Sequence, residues 1–499
     1  MRARPTRVTP WPVSRLLDAL PGARCAGAAP PVDVSFAGIT LDNRAVEPGD
    51  LFVALPGAAT HGARFAATAV AAGASAILTD AAGADQCSDT VGTVPVVVVD
   101  RPRQVLAGLA AVFHDHPATA FTTLGITGTQ GKTTSTYLAE AAVGVADAAV
   151  IGTIGTRVRG EAVTTKLTTP EAPSLQALFA VMREERIGVC AMEVSSHALV
   201  QGRVDGFVFD TAVFLNLGRD HLDFHDGMED YFAAKAQLFT PDHARRAVIN
   251  VDDPWGQRLA STTALPVTTF STAGATADWR GVNVRPHRLG SDVTVLGPDG
   301  SATALSVPLA GVFNVSNAVA VLAALAGVGH DPAALAAGIA RSTGVPGRME
   351  RVDAGQDATV VVDYAHKPEA VTAVLTALRP VTAGRLVIVI GAGGDRDHGK
   401  RPLMGEAAAA LADVVVVTDD NPRSENPAAI RAAVIEGTAG GAAAVHEIGD
   451  RRDAIAWALS NAQRGDTVVI AGKGHESGQE IAGVVHPFDD RAVVTEVLR

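Results

Sequence analysis

The sequence predicts an α/β protein whose parallel sheets are covered by helices on both faces. Across the 499 residues, short apolar runs alternate with alanine-rich helical stretches. Runs such as "VPVVVVD" (94–100) and "RLVIVIGAG" (385–393) are continuously apolar, and each ends in Gly, Asp or His. Continuous Val/Ile runs indicate strands that are buried on both faces, as in parallel sheets. Ligands of such sheets bind beyond the carboxyl ends of the strands, so the polar residues that end these runs are the first candidates for a functional site.

The order of these elements predicts three domains. Further buried strands are expected at 149–155, 358–366, 413–420 and 466–474. A connection near 118–121 and a Gly/Pro-rich stretch at 342–350 are the expected boundaries. We therefore predict a leader with a first domain at 1–118, a central domain at 119–345 and a last domain at 346–499.

Composition excludes several classes of function. The chain has 41 Lys plus Arg against 53 Asp plus Glu, a formal charge of −12, which disfavours broad nucleic-acid binding. The three cysteines form no C-x-x-C pair, and no run of about 18 apolar residues predicts a membrane span. The first twenty residues are basic, with prolines where a signal peptide needs an apolar core. We expect a cytoplasmic protein with a loose N-terminal leader.

The stretch "GTQGKTTS" (128–135) predicts a phosphate-binding loop. It departs from the common G-x-x-x-x-G-K-[ST] pattern, because Ile126 stands at the position of the first glycine. A strand precedes the loop and a helix follows it, so backbone N–H groups and the helix N-terminus would face the phosphates. Lys132 would supply a cation and Thr133 a hydroxyl for Mg²⁺. Glycines alone would also fit a plain strand-to-helix turn, but G-K-T-T between strand and helix favours a nucleotide site.

With this loop, the chain resembles the Mur ligases, the ATP-dependent enzymes that build the peptide of the bacterial cell wall. The resemblance extends from about residue 35 to the end. It is carried in order by "MEVSSHALVQGRV" (192–204), "FLNLGRDHLDFH" (214–225), "YFAAKAQLF" (231–239), "FNVSN" (313–317), "GRMERV" (347–352), "VDYAHKPEA" (362–370), "GGDRDHGKR" (393–401), "DDNPR" (419–423) and "GKGHE" (472–476). It implies an N-terminal UDP-binding α/β domain, a central P-loop ATPase-like parallel sheet and a C-terminal Rossmann-like domain.

The resemblance also implies the residues that bind ATP and Mg²⁺. The implied ATP contacts are Gly128, Thr129, Gln130, Gly131, Lys132, Thr133, Thr134, Asn314 (adenine), Arg348 (phosphate) and Asp363 (ribose). Lys132, Glu193, His221 and Lys235 are the implied catalytic residues, and Thr133, Glu193, His221 and Lys235 are the implied Mg²⁺ ligands. The pattern around Lys235 alone indicates a solvated helical lysine. The matching family lysine is carbamylated, which requires a neutral amine and therefore a lowered pKa.

Two further sets of residues match substrate contacts of the family. Leu41, Asn43, Thr168, Thr169, Ser195, Gln201 and Arg203 match residues that hold a UDP-sugar peptide, with Asn43 standing where the family usually has serine. Arg396, Asp420, Asn421, Pro422, Arg423, Gly472 and Glu476 match residues that hold meso-diaminopimelate. D-N-P is also ordinary turn chemistry. If Arg423 is buried and unpaired, it would bind the second carboxylate of diaminopimelate and strongly reject lysine.

The implied activity is ATP-dependent addition of meso-diaminopimelate to UDP-N-acetylmuramoyl-L-alanyl-D-glutamate through an acyl phosphate, by a monomer. The C-terminal domain is expected to close over the centre about a hinge near "GRME" (347–350). A lysine-adding ligase, a folate polyglutamate synthetase, a non-catalytic nucleotide-binding scaffold and a small-molecule kinase are the alternatives. The UDP segment at 39–57 and "DDNPR" argue against the first two, and Glu193, His221 and Lys235 argue against a scaffold.

Overall fold

The computed structural model describes residues 1–26, 34–57, 60–222 and 224–499. Its chain forms two compact units, Met1–Phe270 with Ala323–His330 and Ser271–Leu322 with Asp331–Arg499. The first unit therefore contains the first predicted domain and most of the second. The boundaries near 118–121 and 342–350 stay predictions.

The N-terminal part of the first unit is a small sheet with helices on its faces. Its elements are β1 (Trp11–Pro12), α1 (Val13–Ala19), β2 (Arg24–Cys25), β3 (Ser35–Phe36), β4 (Gly38–Thr40), β5 (Asp50–Val53), α2 (Ala66–Ala71), β6 (Ala76–Thr79), α3 (Ala81–Cys87), β7 (Val96–Val98) and α4 (Pro102–Phe113). The strand order is β2-β7-β6-β5-β4, and β4 to β7 are parallel. Pro102 is the first residue of α4. The first N–H groups of a helix have no acceptor within it, so proline costs no hydrogen bond there.

The prediction of a loose leader is wrong for residues 1–26. Trp11, Val13 and Leu16 are buried in the core of the N-terminal sheet. The guanidinium of Arg4 donates to Oδ1 of Asp50 at 2.8 Å. The segment is therefore packed despite its prolines and charges, because its apolar side chains are buried in this core.

The rest of the first unit is built on a larger sheet. Its elements are β8 (Thr122–Thr127), α5 (Lys132–Val143), β9 (Ala148–Gly152), β10 (Gly155–Val158), β11 (Glu161–Val163), α6 (Ala172–Glu184), β12 (Val189–Glu193), α7 (Ser196–Val200), β13 (Thr211–Phe214), α8 (Met228–Ala236), β14 (Ala247–Asn250), α9 (Pro254–Thr262) and β15 (Val267–Ser271). The strand order is β11-β10-β9-β12-β8-β13-β14-β15, with β9, β12, β8, β13, β14 and β15 parallel. Glu193 pairs with Ile126, and Phe214 with Thr127. This register brings the ends of β12 and β13 beside the loop that follows β8.

The second unit contains an antiparallel segment and a second parallel sheet. The chain after β15 forms β16 (Trp279–His287), β17 (Gly290–Leu296), β18 (Ala302–Val307), α10 (Val312–Ala326) and α11 (Pro332–Ala340). It continues as β19 (Glu350–Val352), β20 (Thr359–Asp363), α12 (Pro368–Leu378), β21 (Leu386–Ile390), α13 (Lys400–Leu411), β22 (Val414–Val417), α14 (Pro427–Gly437), β23 (Ala444–Glu447), α15 (Arg451–Ser460), β24 (Thr467–Ala471), β25 (Gly478–Ile481), β26 (Val484–Pro487) and α16 (Asp490–Val497). The order is β19-β20-β24-β21-β22-β23, with only β19 antiparallel.

The last sheet confirms the expectation of strands buried on both faces. Ile388 and Ile390 of β21 pack in one apolar cluster with α12 and α13, while Val387 and Val389 pack in another with α15. Among the described residues, no helix has the length and apolar character needed to cross a membrane.

Candidate functional site

The loop between β8 and α5 has the geometry of a phosphate-binding turn. Gly131 caps α5 with a φ of 87°, a left-handed conformation that glycine adopts without strain. Nζ of Lys132 donates to the carbonyl oxygens of Gly128 at 2.7 Å and Thr129 at 3.1 Å. The lysine is thereby held against its own loop, and its predicted contact with phosphates stays a prediction.

Asn216, which follows β13, holds the outer side of this loop. Its backbone oxygen accepts from the N–H of Thr129 at 3.1 Å, and its Oδ1 accepts from the N–H of Gln130 at 2.9 Å. Its amide nitrogen donates to the oxygen of Gln130 at 3.2 Å. Asn216 was part of a quoted motif, but sequence reasoning assigned it no role.

Glu193 ends β12 with a buried carboxylate beside the loop. Its Oε1 accepts from Oγ1 of Thr133 at 2.8 Å and from the N–H of Thr153 at 2.8 Å, and its Oε2 accepts from Oγ1 of Thr153 at 3.2 Å. A side chain at Gly152 would collide with Oε1. The structure therefore brings the predicted Thr133 and Glu193 together and adds Thr153, which sequence reasoning missed.

Lys235 is fully buried in α8 and is not a solvated helical lysine. Its Nζ lies 3.2 Å from the oxygen of Gly128 and 3.4 Å from Oγ1 of Thr127. Burial lowers the pKa of Lys235 well below its ordinary value, and the nearby charge of Lys132 lowers it further. The amine is thus favoured in the neutral form that a reaction with CO₂ requires.

His221 precedes α8 on the same side of the first unit. Its Nε2 lies 3.4 Å from Oδ2 of Asp220, and its ring centroid is 5.1 Å from that of His197 and 6.0 Å from that of Tyr231. The hydroxyl of Tyr231 lies 3.3 Å from Oγ1 of Thr129 in the loop. His221 is therefore placed near the phosphate loop through Tyr231, with its side chain partly exposed.

A buried histidine ties together the two short elements around this site. Nε2 of His225 lies 2.9 Å from Oγ of Ser196 at the start of α7, and Nδ1 lies 2.9 Å from Asp230 in α8. His225 is only 3% exposed, so these contacts fix the start of the helix that carries Lys235. No pattern in the sequence indicates this role of His225.

The predicted threonine and serine contacts also gather around Glu193. Oγ1 of Thr169 donates to the backbone oxygen of Glu193 at 2.8 Å and accepts from the N–H of Ser195 at 3.2 Å. Oγ1 of Thr168 lies 3.1 Å from Oγ1 of Thr153. These hydroxyls form one polar surface with the phosphate loop.

Arg203 extends this polar surface. Its guanidinium donates to the oxygen of Thr169 at 3.0 Å and to Oε1 of Gln201 at 2.7 Å, and it pairs with Glu171 at 3.0 Å. Arg103 of α4 pairs with the same glutamate at 3.2 Å. Glu171 therefore links α4, which packs on the N-terminal sheet, to Arg203, one of the predicted contacts to the UDP-sugar peptide.

Leu41 and Asn43 lie at the end of β4. Asn43 begins a short 3₁₀ turn, Asn43–Ala45, that is capped by Asp42. Oδ2 of Asp42 accepts from Nζ of Lys166 at 3.1 Å, on the segment that leads to Thr168. Leu41 and Asn43 are partly exposed, and this ion pair holds their turn beside that segment.

In the second unit, the ends of β22 and β24 meet in a polar cluster. Nδ2 of Asn421 donates to Oε2 of Glu476 at 2.9 Å, and Nζ of Lys473 donates to Oδ1 of Asn421 at 3.0 Å and to Glu476 at 3.1 Å. Oδ2 of Asp420 is buried and accepts no hydrogen bond from the described residues. A Cβ at Gly472 would lie 2.5 Å from this oxygen, so only glycine fits there. Lys473 was not predicted.

Arg423 has hydrogen-bond partners within the second unit. Its Nε donates to Oε2 of Glu480 at 3.2 Å, and its Nη1 donates to the oxygen of Gly394 at 2.7 Å. Arg396, on the loop that follows β21, is exposed, and Pro422 is buried. Because Glu480 already pairs with Arg423, bound lysine would not leave the guanidinium without a counter-charge. The expected discrimination between diaminopimelate and lysine is therefore smaller.

The three remaining predicted nucleotide contacts lie in the second unit. Both carboxylate oxygens of Asp363 accept backbone N–H groups, from Met349 at 2.7 Å and Ala365 at 2.8 Å. Burial raises the pKa of Asp363. The guanidinium of Arg348 lies 4.3 Å from the centre of the Tyr364 ring.

Asn314 is 2% exposed, and it donates to Ala310 at 2.7 Å and accepts from Asn317 at 3.2 Å. The predicted residues thus fall into two clusters. One surrounds the phosphate loop in the first unit, and the other lies at the strand ends of the second.

Comparison with known proteins identifies relatives over the whole chain. Three family models match: "Mur ligase family, catalytic domain" at 35–114, "Mur ligase middle domain" at 126–325 and "Mur ligase, glutamate ligase domain" at 347–474. A UDP-N-acetylmuramoyl-L-alanyl-D-glutamate--2,6-diaminopimelate ligase of Streptomyces coelicolor is 52% identical, covering 99% of this chain and 98% of its own. A ligase of the same name from Corynebacterium glutamicum is 51% identical, covering 93% and 92%.

Solved structures agree with the fold. A structure titled as the same 2,6-diaminopimelate ligase matches with a TM-score of 0.66 at 35% identity, covering 95% of this chain and 96% of its own. A MurF ligase from Thermotoga maritima in complex with ADP matches with a TM-score of 0.62, and at 20% identity it supports the fold alone.

Proposed function

The chain belongs to the Mur ligase family, and we propose that it joins meso-diaminopimelate to UDP-N-acetylmuramoyl-L-alanyl-D-glutamate at the expense of ATP. The observation that carries this proposal is the full-length similarity to diaminopimelate-adding ligases. The pairing of Thr133 with Glu193 beside the phosphate loop agrees with it.

ATP is held by the loop from Gly128 to Thr134. Backbone N–H groups at the start of α5 face the phosphates, and Lys132 carries the balancing charge. Asn216 keeps the loop in shape through its contacts with Thr129 and Gln130. In the second cluster, Arg348 and Asp363 would contact the phosphates and ribose, and Asn314 the adenine.

The residues around Glu193 fit Mg²⁺ in the way that nucleotide enzymes bind it. No group of three or more His, Cys, Asp or Glu suited to a metal occurs in the described part of the chain. Mg²⁺ in nucleotide sites usually has only one or two carboxylate ligands, with waters and substrate phosphates completing the shell. Glu193 would supply one carboxylate and Thr133 a hydroxyl, and His221 would be a further ligand. When bound, Mg²⁺ neutralises charge on the phosphoryl oxygens.

Lys235 would complete this set after carbamylation. Its buried amine, favoured as neutral, attacks the carbon of CO₂ and loses a proton, which leaves a carbamate with two oxygens. A carbamate at this position would sit beside the oxygen of Gly128, at the base of the loop. The change replaces a neutral amine with an anion, which would attract the charge of Lys132.

The UDP-sugar dipeptide would be held by the polar surface of the first unit. Leu41 and Asn43 would contact the uridine, and Asn43 retains hydrogen-bonding groups where serine is usual. Thr168, Thr169 and Ser195, with Gln201 and Arg203, would hold the sugar and peptide. The joint contact of Arg103 and Arg203 with Glu171 supports a continuous site on this face.

Diaminopimelate would be bound by the cluster at the ends of β22 and β24. Arg423 and Arg396 offer cations for its carboxylates. Oδ2 of Asp420, which accepts no hydrogen bond from the described residues, is offered to an ammonium group. Asn421 and Glu476 hold one another, and the absence of a side chain at Gly472 leaves room for Oδ2 of Asp420 beside them.

In the reaction, the glutamyl carboxylate oxygen attacks the γ-phosphorus of ATP, and the bond to the ADP oxygen breaks. The acyl phosphate then accepts the amine of diaminopimelate at its carbonyl carbon. The amine loses a proton, phosphate leaves, and an amide remains. Lys132 stabilises charge on the phosphoryl oxygens, since catalysis of such transfers is mainly positioning and electrostatics.

One assay tests the proposal and its alternatives. Purified protein is incubated with ATP, Mg²⁺, UDP-N-acetylmuramoyl-L-alanyl-D-glutamate and either meso-diaminopimelate or L-lysine. The products are identified by their masses in mass spectrometry. We expect ADP, phosphate and the diaminopimelate amide. A lysine amide formed equally fast would support the lysine-adding alternative, because Arg423 already has Glu480 as a partner. Absence of ADP and of any amide would refute the proposal.

A further inference from the structure

Two loops of the second unit are in direct contact beside the proposed amino-acid site. The loop between β21 and α13 carries Arg396, and the loop between β22 and α14 carries Arg423. The backbone oxygen of Gly394 accepts from Nη1 of Arg423 at 2.7 Å, and the N–H of Gly394 donates to the oxygen of Asn421 at 2.9 Å. The two arginines proposed to bind carboxylates therefore extend from backbone segments that touch.

An ion pair joins the same two loops. Arg401, in the first turn of α13, is 4% exposed, and its guanidinium donates to both carboxylate oxygens of Glu425, at 2.9 Å and 2.8 Å. Its Nη2 also donates to the oxygen of Gly393 at 3.2 Å. The hydrogen bonds from Arg401 lower the pKa of Glu425 to about 2, so the pair is charged at neutral pH. Two parallel bonds between a guanidinium and a carboxylate fix the orientation of both groups as well as their distance.

Glu425 also holds a strained residue next to Arg396. Its Oε1 accepts from the N–H of Asp395 at 2.5 Å. Asp395 has a φ of 53°, a left-handed conformation that is costly for a residue with a Cβ and persists only where its surroundings hold it. Oγ of Ser424 donates to Oδ1 of Asp395 at 2.6 Å. Because Arg396 directly follows Asp395, these contacts fix the backbone from which the Arg396 side chain extends.

We propose that Glu425 and Arg401 are positioning residues for amino-acid binding, which hold Arg396 and Arg423 at a fixed distance from one another. This inference rests on the proposed function, and it concerns residues outside the set expected to touch the amino acid. The pair acts through the two arginines and makes no contact with the substrate itself. Without it, the loops can separate, and an amino acid held by both arginines loses affinity. The binding of ATP and of the UDP-sugar dipeptide does not depend on this distance.

The test compares the full-length wild type with Glu425→Gln and with the control Glu436→Gln, which makes the same change at an exposed glutamate of α14. Amide formation is measured as meso-diaminopimelate, ATP and UDP-N-acetylmuramoyl-L-alanyl-D-glutamate are varied in turn. In Glu425→Gln we expect the KM for diaminopimelate to rise about tenfold, the scale of one hydrogen bond between charged groups. The KM for ATP and kcat should stay within about twofold of the wild type, as should every constant of the control.

A double-mutant cycle tests whether the two residues act as a pair. Arg401→Gln and Glu425→Gln remove the same interaction, so the double variant should raise the KM for diaminopimelate about as much as the larger single change. Hydrogen exchange measured by mass spectrometry follows the loop itself, independently of turnover. Amides of residues 391–399 should exchange faster in Glu425→Gln and unchanged in Glu436→Gln.

The results separate this inference from the proposed function. A wild type that forms no amide refutes the proposed function, and this inference with it. An active wild type whose KM for diaminopimelate is unchanged in Glu425→Gln refutes the positioning role alone. Equal rises in KM for ATP and diaminopimelate, multiplied effects in the double variant, or faster exchange throughout the second unit would also overturn it, because each indicates only a general loss of structure or two unconnected residues.

Discussion

Replacing Thr153 by valine tests whether this residue positions Glu193 for Mg²⁺. The substitution removes the hydroxyl that donates to Oε2 at 3.2 Å and keeps the backbone N–H that donates to Oε1 at 2.8 Å. A hydrogen bond to a charged group contributes about 1.5–3 kcal/mol, and the long distance favours the lower end. Since 1.4 kcal/mol corresponds to about tenfold, we expect Mg²⁺ to be bound roughly tenfold more weakly.

The assay is ADP release at saturating substrates as Mg²⁺ is titrated. Thr153→Ser keeps the hydroxyl and should behave as the wild type. Thr156→Val, a matched change at a buried threonine of β10 whose hydroxyl contacts Thr165, controls for the loss of a hydroxyl nearby. An unchanged Mg²⁺ dependence in Thr153→Val would refute the positioning role. A loss of activity that excess Mg²⁺ does not restore would also contradict it.

Three further predictions concern both units. Lys235→Ala should lose activity that added acetate partly restores, because a small carboxylate can replace a carbamate; full activity of the alanine variant, measured by ADP release, would exclude this role. Gly472→Ala should raise the KM for diaminopimelate and leave that for ATP unchanged, because the φ of 114° disfavours alanine and its Cβ would push against Oδ2 of Asp420; equal effects on both substrates would contradict this. Burial lowers the pKa of His366 to about 4 from the ordinary 6.5. The unfolded state therefore takes up a proton first, and stability is full above pH 6.5 and falls as the pH drops towards 4, by up to about 3 kcal/mol. His366→Asn should flatten this dependence in urea unfolding, and an unchanged slope would refute it.

Elements whose signal is local could be predicted from the sequence. The Val/Ile runs predicted β7, β9, β20, β21, β22 and β24, since strands buried on both faces have a continuous apolar centre. The phosphate loop was predictable because its residues are contiguous. The family prediction is confirmed by the models that match along the chain. The expected monomer stays a prediction.

Contacts between distant residues could not be predicted. Thr153 reaches Glu193 across 40 residues, and Glu480 reaches Arg423 across 57, so no spacing in the sequence indicates either pair. The burial of Lys235 could not be predicted either, because the groups around its amine come from β8 and the loop after it, more than 100 residues earlier in the chain. A loose N-terminal segment was predicted from its prolines. The burial of Trp11 and Leu16 depends on strands later in the chain, so the local sequence does not indicate it.

The hairpin of β25 and β26 supports Arg423, which we propose binds the amino acid. Its backbone accepts the N–H of Arg423 at Glu480 and donates to the oxygen of Arg423 from Ala482, at 3.0 Å and 2.7 Å. Glu480, on the same hairpin, balances the guanidinium. If Arg423 binds the amino acid as proposed, we expect substitutions in this hairpin to change which diamino acid is accepted while "DDNPR" stays intact. For enzyme engineering, the hairpin is a place to alter preference without changing any residue of that motif.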